Sequence, residues 1–406
     1  MSRPSAARAL ADAGDRTRLL LLSLVAVLCL TALAVPLVQF GGGPLRFGGV
    51  DFKAYYLAGR RVLAGYPLYA DGPLVHVVPR PRATAFLYPP VVVAPFAALA
   101  TLPSLPARAA WVAAQLAFLW VSVLALARSF GLAPTRGEAL LAFVALVGFQ
   151  PVLFLARIGN VSGAMAGLFC LSAAVTVAPE GPDRPYLGGA AAVLGVVPKP
   201  FAAPALAGLL GDRRRLLGGA LALLALAVVS VAAFGPATHR TYLAVLLAGK
   251  GWGPAGDPTA LPLHFRPFYR VPAADALRGV HLGAALGLSL VAARVGADAR
   301  AVALGSLAVP LVAPTANTLT LVLALPGLLV ALALEAREGG VPWLPALALV
   351  GVHGSVPLSR LVVRFGPNGA PALPWGAVER LLVVQPATVA LAAAFWLCGY
   401  RILRDL

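Results

Sequence analysis

The chain is poor in acid, in lysine and in cysteine. Of its 406 residues only fifteen are acidic, three are lysine and three are cysteine. Cys29, Cys170 and Cys398 each lie inside an apolar run without ligand-like spacing, so neither a disulfide framework nor a cysteine metal site is indicated. No Gly-x-x-x-x-Gly-Lys-Ser/Thr loop occurs, and Gly41-Gly-Gly lacks the strand–turn–helix setting of a dinucleotide fingerprint. There is no His-Glu-x-x-His pattern either. Soluble nucleotide-sugar chemistry and metal hydrolysis therefore have no support, and no cofactor and no metal are expected. Charge of any sign is scarce at 12%, against 60% hydrophobic residues, and a water-soluble fold could not hide that much apolar surface.

What the sequence has in quantity is apolar runs. A spanning helix needs about 20 apolar residues, and runs of that order recur from Leu19 to Leu403. They predict an all-α, polytopic membrane protein of about 10–12 transmembrane helices, built as a single membrane domain over 1–406. The expected order is a first transmembrane helix at 19–38, a first outer loop at 41–87 with interfacial helices, and helices 2–7 within 88–234. A second outer loop at 235–275 and C-terminal helices at 276–406 follow. The net charge of +17 comes from arginines scattered through the loops, which fits membrane topology and anionic lipid and argues against nucleic acid.

Arg3, Arg8, Arg16 and Arg18 precede the first run, so the positive-inside rule puts the N-terminus in the cytoplasm of a multi-pass protein and the 41–87 segment outside. That run is spanning length without a clear small-residue cleavage site, and it reads as helix one rather than as a signal peptide. If every later run spans, Arg213–Arg215 are cytoplasmic, the Arg157–Asn160 turn lies on the same side, and Arg128 and Arg136 fall outside. The runs near 90 and 186–210 are interrupted by Pro89, Pro90, Pro95, Pro198, Pro200 and Pro204. If both are re-entrant, Arg157 and Asn160 move outside and the triple arginine stays inside.

Few residues can carry chemistry. Asp51 opens Asp51-Phe-Lys-Ala-Tyr-Tyr just after helix one, with Phe52, Tyr55, Tyr56, Ala58 and Leu63 at helical spacing. This predicts an amphipathic helix lying on the bilayer with Asp51 as its N-cap. Capping alone would explain Asp51, and so would a carboxylate poised as a general base. Lys199 sits in Val-Val-Pro-Lys-Pro-Phe inside an apolar run, where an unpaired charge is expensive. A compact ammonium suits a phosphate, whereas snorkelling or pairing with a carboxylate is the plainer alternative. Arg157-Ile-Gly-Asn160-Val-Ser162 places a charge and an amide between two apolar runs, and is either a phosphate- or sugar-binding turn or a plain connector. His264, beside aromatic residues in the second outer loop, suits sugar stacking or a structural lid.

The segment Asp51-Phe-x-x-Tyr-Tyr-x-Ala-x-x-x-Val-Leu-x-Gly65-x-Pro-Leu-Tyr69, followed by Phe86-Leu-Tyr88-Pro89-Pro90, resembles glycosyltransferase family 87, the bacterial polyprenyl-phosphate-mannose-dependent α-mannosyltransferases. Gly159-Asn160-Val-Ser162 is similar to that family's Gly-Gln-x-Asn turn, and Val197-Pro198-Lys199-Pro200 to its Ile-Lys-Pro segment. The resemblance covers about residues 20–335. It implies a GT-C fold in the bacterial plasma membrane, with the active site on the outer face. It also implies a polyprenyl-phosphate sugar donor, with mannose as the sugar, and a lipid or glycan acceptor. Asp51 matches the family's acidic base; residue chemistry then makes Lys199 and Arg157 the donor-phosphate ligands. Asn160, Tyr55, Tyr56, Tyr88 and His264 are the sugar or acceptor ligands. The departures at Asn160, Ser162 and Val312-Ala-Pro314-Thr-Ala-Asn317 concern sugar and acceptor specificity. A transporter or flippase for a lipid-linked or hydrophobic solute is the alternative, but no internal repeat of the kind such folds carry is evident.

Overall fold

The computed structural model describes residues 5–41, 49–69, 86–178, 184–247, 265, 267–268, 271–313, 317–364 and 385–406. Every regular element among them is helical. Following a short α1 (Ala6–Ala11), they are α2 (Asp15–Gly41), α3 (Val50–Leu63), α4 (Ala94–Leu99), α5 (Ser104–Ser129), α6 (Arg136–Gly148), α7 (Gln150–Ile158), α8 (Ser162–Val177) and α9 (Arg184–Val196). Next come α10 (Arg213–Leu247), α11 (Ala274–Val295), α12 (Asp298–Val312), α13 (Leu325–Arg337), α14 (Trp343–Arg364) and α15 (Pro386–Arg404).

The protein is an all-α polytopic membrane protein, with fewer full spans than the apolar runs suggest. Six helices among the described residues are long and apolar enough to cross a membrane, or up to seven if α6 and α7, bent by 69°, form one broken span. Several of the other runs are short or broken. The run near 90 becomes a 3₁₀ turn, Pro90–Val93, followed by the six-residue α4. The run at 186–210 divides into α9 and a 3₁₀ segment, Pro200–Leu209, because Pro198, Pro200 and Pro204 withdraw backbone donors in succession. At 16 residues α8 is about 24 Å long, short of a hydrocarbon core of about 30 Å. Conversely, α10 continues to Leu247 across a kink at Gly235-Pro236, so the start of the expected second outer loop is helical. Residues 248–264, His264 among them, lie outside the described residues.

The buried centre is formed by α12, whose residues from Ala301 to Leu311 are all buried, and by the 3₁₀ segment Thr320–Ala324 and α13. Helix α8 packs against this centre, and α5 and α9 pack on α8. Helices α2 and α10 lie at the edge, and α10 exposes Leu221, Leu224, Val228 and Val229, an apolar surface suited to lipid.

Many of the described arginines lie at one end of the bundle, while Arg60, Arg61, Arg108 and Arg157 lie at the other. Arg215 at the start of α10 pairs with Asp298 at the start of α12 and donates to Thr176 at the end of α8 (3.1 Å). Arg300 pairs with Glu338 and Asp405, and Arg401 grips Glu335 through two bonds of 2.7 and 2.9 Å. The N-terminal segment belongs to the same end: Ala7 donates to Glu138 (2.7 Å), and Arg16 and Thr17 share a cavity of about 840 Å³ with Phe130, Arg337 and Trp343. From this end α9 and the 3₁₀ segment Pro200–Leu209 meet at Lys199, and α8 begins beside Asn160. The Arg157–Asn160 turn and Arg213–Arg215 therefore occupy opposite ends of α8 and α9, and Arg128 and Arg136 lie at the arginine-rich end. This is the arrangement that re-entrant proline-broken segments imply.

Two expectations for α3 are corrected. Its N-cap is Gly49, in the left-handed region at φ 49°, and Asp51 sits inside the first turn. The backbone at Gly49 turns sharply because its N–H donates to the Arg157 carbonyl (3.3 Å), which starts the helix two residues before the carboxylate. Nor does the apolar face rest on a bilayer. Phe52, Tyr55 and Ala58 are buried in the protein core with Phe96 of α4, and Leu63 is exposed. An amphipathic pattern fixes which face is covered, without saying whether lipid or protein covers it.

Candidate active site

The turn between α7 and α8 is the framework of the site. Gly159 ends α7 in the left-handed region (φ 73°), and a Cβ there would stand 2.6 Å from the Phe52 Cβ. Only glycine suits both the backbone and this close approach of α3. Asn160 follows, and its Oδ1 accepts from the Ser162 backbone N–H (2.9 Å) and the Ser162 hydroxyl (2.7 Å) as α8 begins. This is an Asx turn, the local bond that makes asparagine favourable at such a position. From α5, Trp111 donates its indole N–H to the Gly159 carbonyl (3.0 Å) and Arg108 donates to the Arg157 carbonyl (2.6 Å).

Around this turn the chain brings together residues from four separate segments. The Asn160 Nδ2 donates to Asp51 Oδ2 at 2.6 Å and to the Tyr55 hydroxyl at 3.2 Å. Lys199 Nζ donates to Asn160 Oδ1 at 3.0 Å and to Ser162 Oγ at 2.8 Å. Tyr55 donates to the Tyr88 hydroxyl at 2.7 Å, and Tyr69 donates to the Tyr88 carbonyl at 2.5 Å. The Asn160 orientation is dictated from both sides, since a backbone N–H and an ammonium can only donate and a carboxylate can only accept. Asn160, Ser162, Lys199 and Tyr55 are all buried, whereas Asp51 is half-buried. Two charges are thus linked through one neutral amide.

The tyrosines are held in their neutral, donating form. Burial raises the Tyr55 hydroxyl well above its ordinary value, and the neighbouring Tyr88 and the Asp51 carboxylate push it the same way. Tyr88 is raised by burial and then by Asp51. Beneath them, Tyr55 packs on Phe96 (centroids 4.6 Å apart) and Phe96 meets Trp111 edge-on (4.6 Å), which fixes the ring positions.

Of the residues singled out in the sequence, Asp51, Tyr55, Tyr88, Asn160 and Lys199 meet in this network. Arg157 joins it through its carbonyl, and its guanidinium has no hydrogen-bond partner among the described residues. Tyr56 points elsewhere, donating to the Leu102 carbonyl (2.8 Å). His264 lies outside the described residues. No group of three His, Cys, Asp or Glu side chains that could hold a metal ion occurs among the described residues. Reading the sequence missed Ser162, Arg108 and Trp111 as site residues. Arg108, Trp111 and Gln115 have spacings of three and four, which place them on one helical face; a polar stripe in an apolar span was the available signal. Gln115 is buried against Gly163, with neither end of its amide hydrogen-bonded among the described residues.

The arrangement offers a half-buried carboxylate, a buried ammonium and neutral hydroxyls in one place, which suits proton removal beside a developing negative charge. The family model described as Glycosyltransferase family 87 matches residues 86–352, a stretch that includes Tyr88, Asn160, Ser162 and Lys199 and begins after Asp51. No curated protein and no solved structure matches the chain.

Proposed function

Because this chain belongs to glycosyltransferase family 87, we propose that it transfers a mannosyl group from a polyprenyl-phosphate donor to a lipid or glycan acceptor, as a GT-C-type enzyme of the bacterial plasma membrane. The observation that carries the reading is the bonded chain from Asp51 through Asn160 to Lys199. It supports a site in which a base and a phosphate-binding cation face the same substrate. The larger share of the described arginines at the far end of the bundle, with the N-terminal segment, supports a cytoplasmic N-terminus and an outward-facing Asp51.

In this reading Asp51 accepts the proton of an acceptor hydroxyl as that oxygen forms a bond to the anomeric carbon. The bond from the anomeric carbon to the phosphate oxygen breaks on the opposite face, its electron pair leaves with the phosphate, and the sugar inverts. Polyprenyl phosphate departs, and Lys199 stabilises its developing charge. Its ammonium makes two bonds in the network, to Asn160 and Ser162, and an ammonium has three donors. Arg157 is a second phosphate ligand and His264 an acceptor ligand. Tyr88 and Tyr55 border the sugar. Membrane lipid surrounds the protein, and the step requires no metal or cofactor.

The test is to supply purified protein with labelled mannose on polyprenyl phosphate, and separately on a nucleotide, and to determine the anomeric configuration of the product. Transfer from the lipid donor alone, with inversion, is the expected outcome. Transfer from the nucleotide donor, or retention, would contradict the reading.

A further inference from the structure

Asn160 has no polar atom left for a substrate. Its Oδ1 accepts from three donors, the Lys199 ammonium and the Ser162 N–H and hydroxyl, and its Nδ2 donates to both Asp51 and Tyr55. A carbonyl oxygen has two lone pairs and an amide nitrogen two protons, so this side chain is saturated. It is also buried, at 2% exposure. Its rotamer is set by the chain itself, through the Asx turn to Ser162 and the glycine that precedes it.

A carboxylate and an ammonium in one pocket would ordinarily close into a direct ion pair, each charge then answering the other in place of a substrate. Here the amide stands between them, its donor end on Asp51 and its acceptor end on Lys199. We propose that Asn160 is a positioning residue, a neutral spacer that holds the Asp51 carboxylate and the Lys199 ammonium apart, so that the carboxylate remains available as a base and the ammonium as a phosphate ligand. This rests on the glycosyl-transfer reading above, and it replaces the sugar- or acceptor-ligand role expected of Asn160 from the sequence. Ser162 completes the device, since its hydroxyl accepts from Lys199 while donating to Asn160, which gives the ammonium a second fixed partner.

The experiment compares Asn160→Ala and Asn160→Asp with wild type, as full-length protein in detergent, for kcat and donor KM with labelled polyprenyl-phosphate mannose. For Asn160→Ala, kcat is expected to fall about 10²-fold, the scale of a misplaced catalytic group, and donor KM to rise with it, because the Lys199 ammonium closes on Asp51 and is lost to the phosphate. A donor KM raised about tenfold with kcat retained, or a loss that depends on the hexose carried by the donor, would make Asn160 a sugar ligand and overturn the proposal.

Thermal unfolding of Asn160→Asp gives a readout independent of transfer. The titratable groups around position 160 are Asp51 and Tyr55 of α3, Tyr88, and Lys199, with Arg108 of α5 on the Arg157 carbonyl. A second carboxylate against Asp51 is tolerated when one proton is shared and opposed when both ionise. In a Lys199→Met background, which removes the ammonium that would otherwise neutralise the new carboxylate, the midpoint of Asn160→Asp should therefore fall further below that of Lys199→Met alone at pH 8 than at pH 5. A gap of the same size at both values would show that the side chain does not face Asp51, and would overturn the spacer. Wild-type protein that transfers no hexose would refute the glycosyl-transfer reading, while this unfolding comparison would still decide the spacer.

Discussion

Replacing Gly159 by alanine tests the joint on which the site is built. Two penalties add at this residue. Its φ of 73° places an L side chain in the left-handed region, at a cost of about 1–2 kcal/mol. The new Cβ would also stand 2.6 Å from the Phe52 Cβ, a backbone-proximal atom that no rotamer change can move. Overpacking of that kind costs about 1–3 kcal/mol more, so the total is roughly 2–5 kcal/mol. Gly296 is the control, because it ends α11 with φ 72° and its Cβ would meet nothing within 4 Å. Gly296→Ala should suffer the backbone penalty alone. The assay is thermal unfolding of both variants in the same detergent, followed by mannosyl transfer at equal protein. Gly159→Ala should lower the midpoint about twice as far as Gly296→Ala and reduce transfer about 10²-fold, because relief of the clash moves Asn160 away from Asp51. Equal midpoints with transfer retained would refute the close approach of α3 to the α7–α8 turn.

Three further outcomes follow from the same contacts. Tyr55→Phe removes the acceptor of the second Asn160 N–H and the donor to Tyr88, and should cost about 1–3 kcal/mol of stability in denaturant titration together with a lower kcat. Gln115→Met replaces a buried amide that has no hydrogen-bond partner among the described residues by an apolar chain of similar shape. It should leave the unfolding midpoint unchanged or higher, and a fall of several degrees would mean that the amide is bonded in the working protein. In Tyr55, Tyr69 and Tyr88 burial raises the phenol above its ordinary value of about 10, so the unfolded chain releases these protons before the folded one. Stability should accordingly be unaffected by them below pH 10 and decline as pH rises beyond it, in step with delayed tyrosinate absorbance in the folded protein.

The class of fold and the identity of the central residues were legible in the sequence. Apolar runs name the solvent, and a lysine-poor chain that keeps Lys199 in an apolar run marks that position by its cost. Asp51 and Asn160 stood out because each interrupts a pattern. The number of spans was not legible, since Pro90, Pro198, Pro200 and Pro204 leave hydropathy intact while breaking the helix. The burial of α3 escaped for a different reason: Phe52 and Tyr55 look alike whether they face lipid or Phe96. Ser162 read as a departure from the family turn, and its part in holding both Asn160 and Lys199 depends on α9 returning to the start of α8, a contact between residues far apart in sequence.

The most direct measurement is the transfer of labelled mannose from polyprenyl-phosphate mannose to an acceptor extract, by membranes carrying wild type or Asp51→Asn at equal expression. The Asn side chain keeps the size of Asp51 and removes its basicity, so the account predicts transfer by wild type and a loss of about 10²–10⁴-fold in the variant. Equal transfer by both would contradict the assignment of Asp51 as the base.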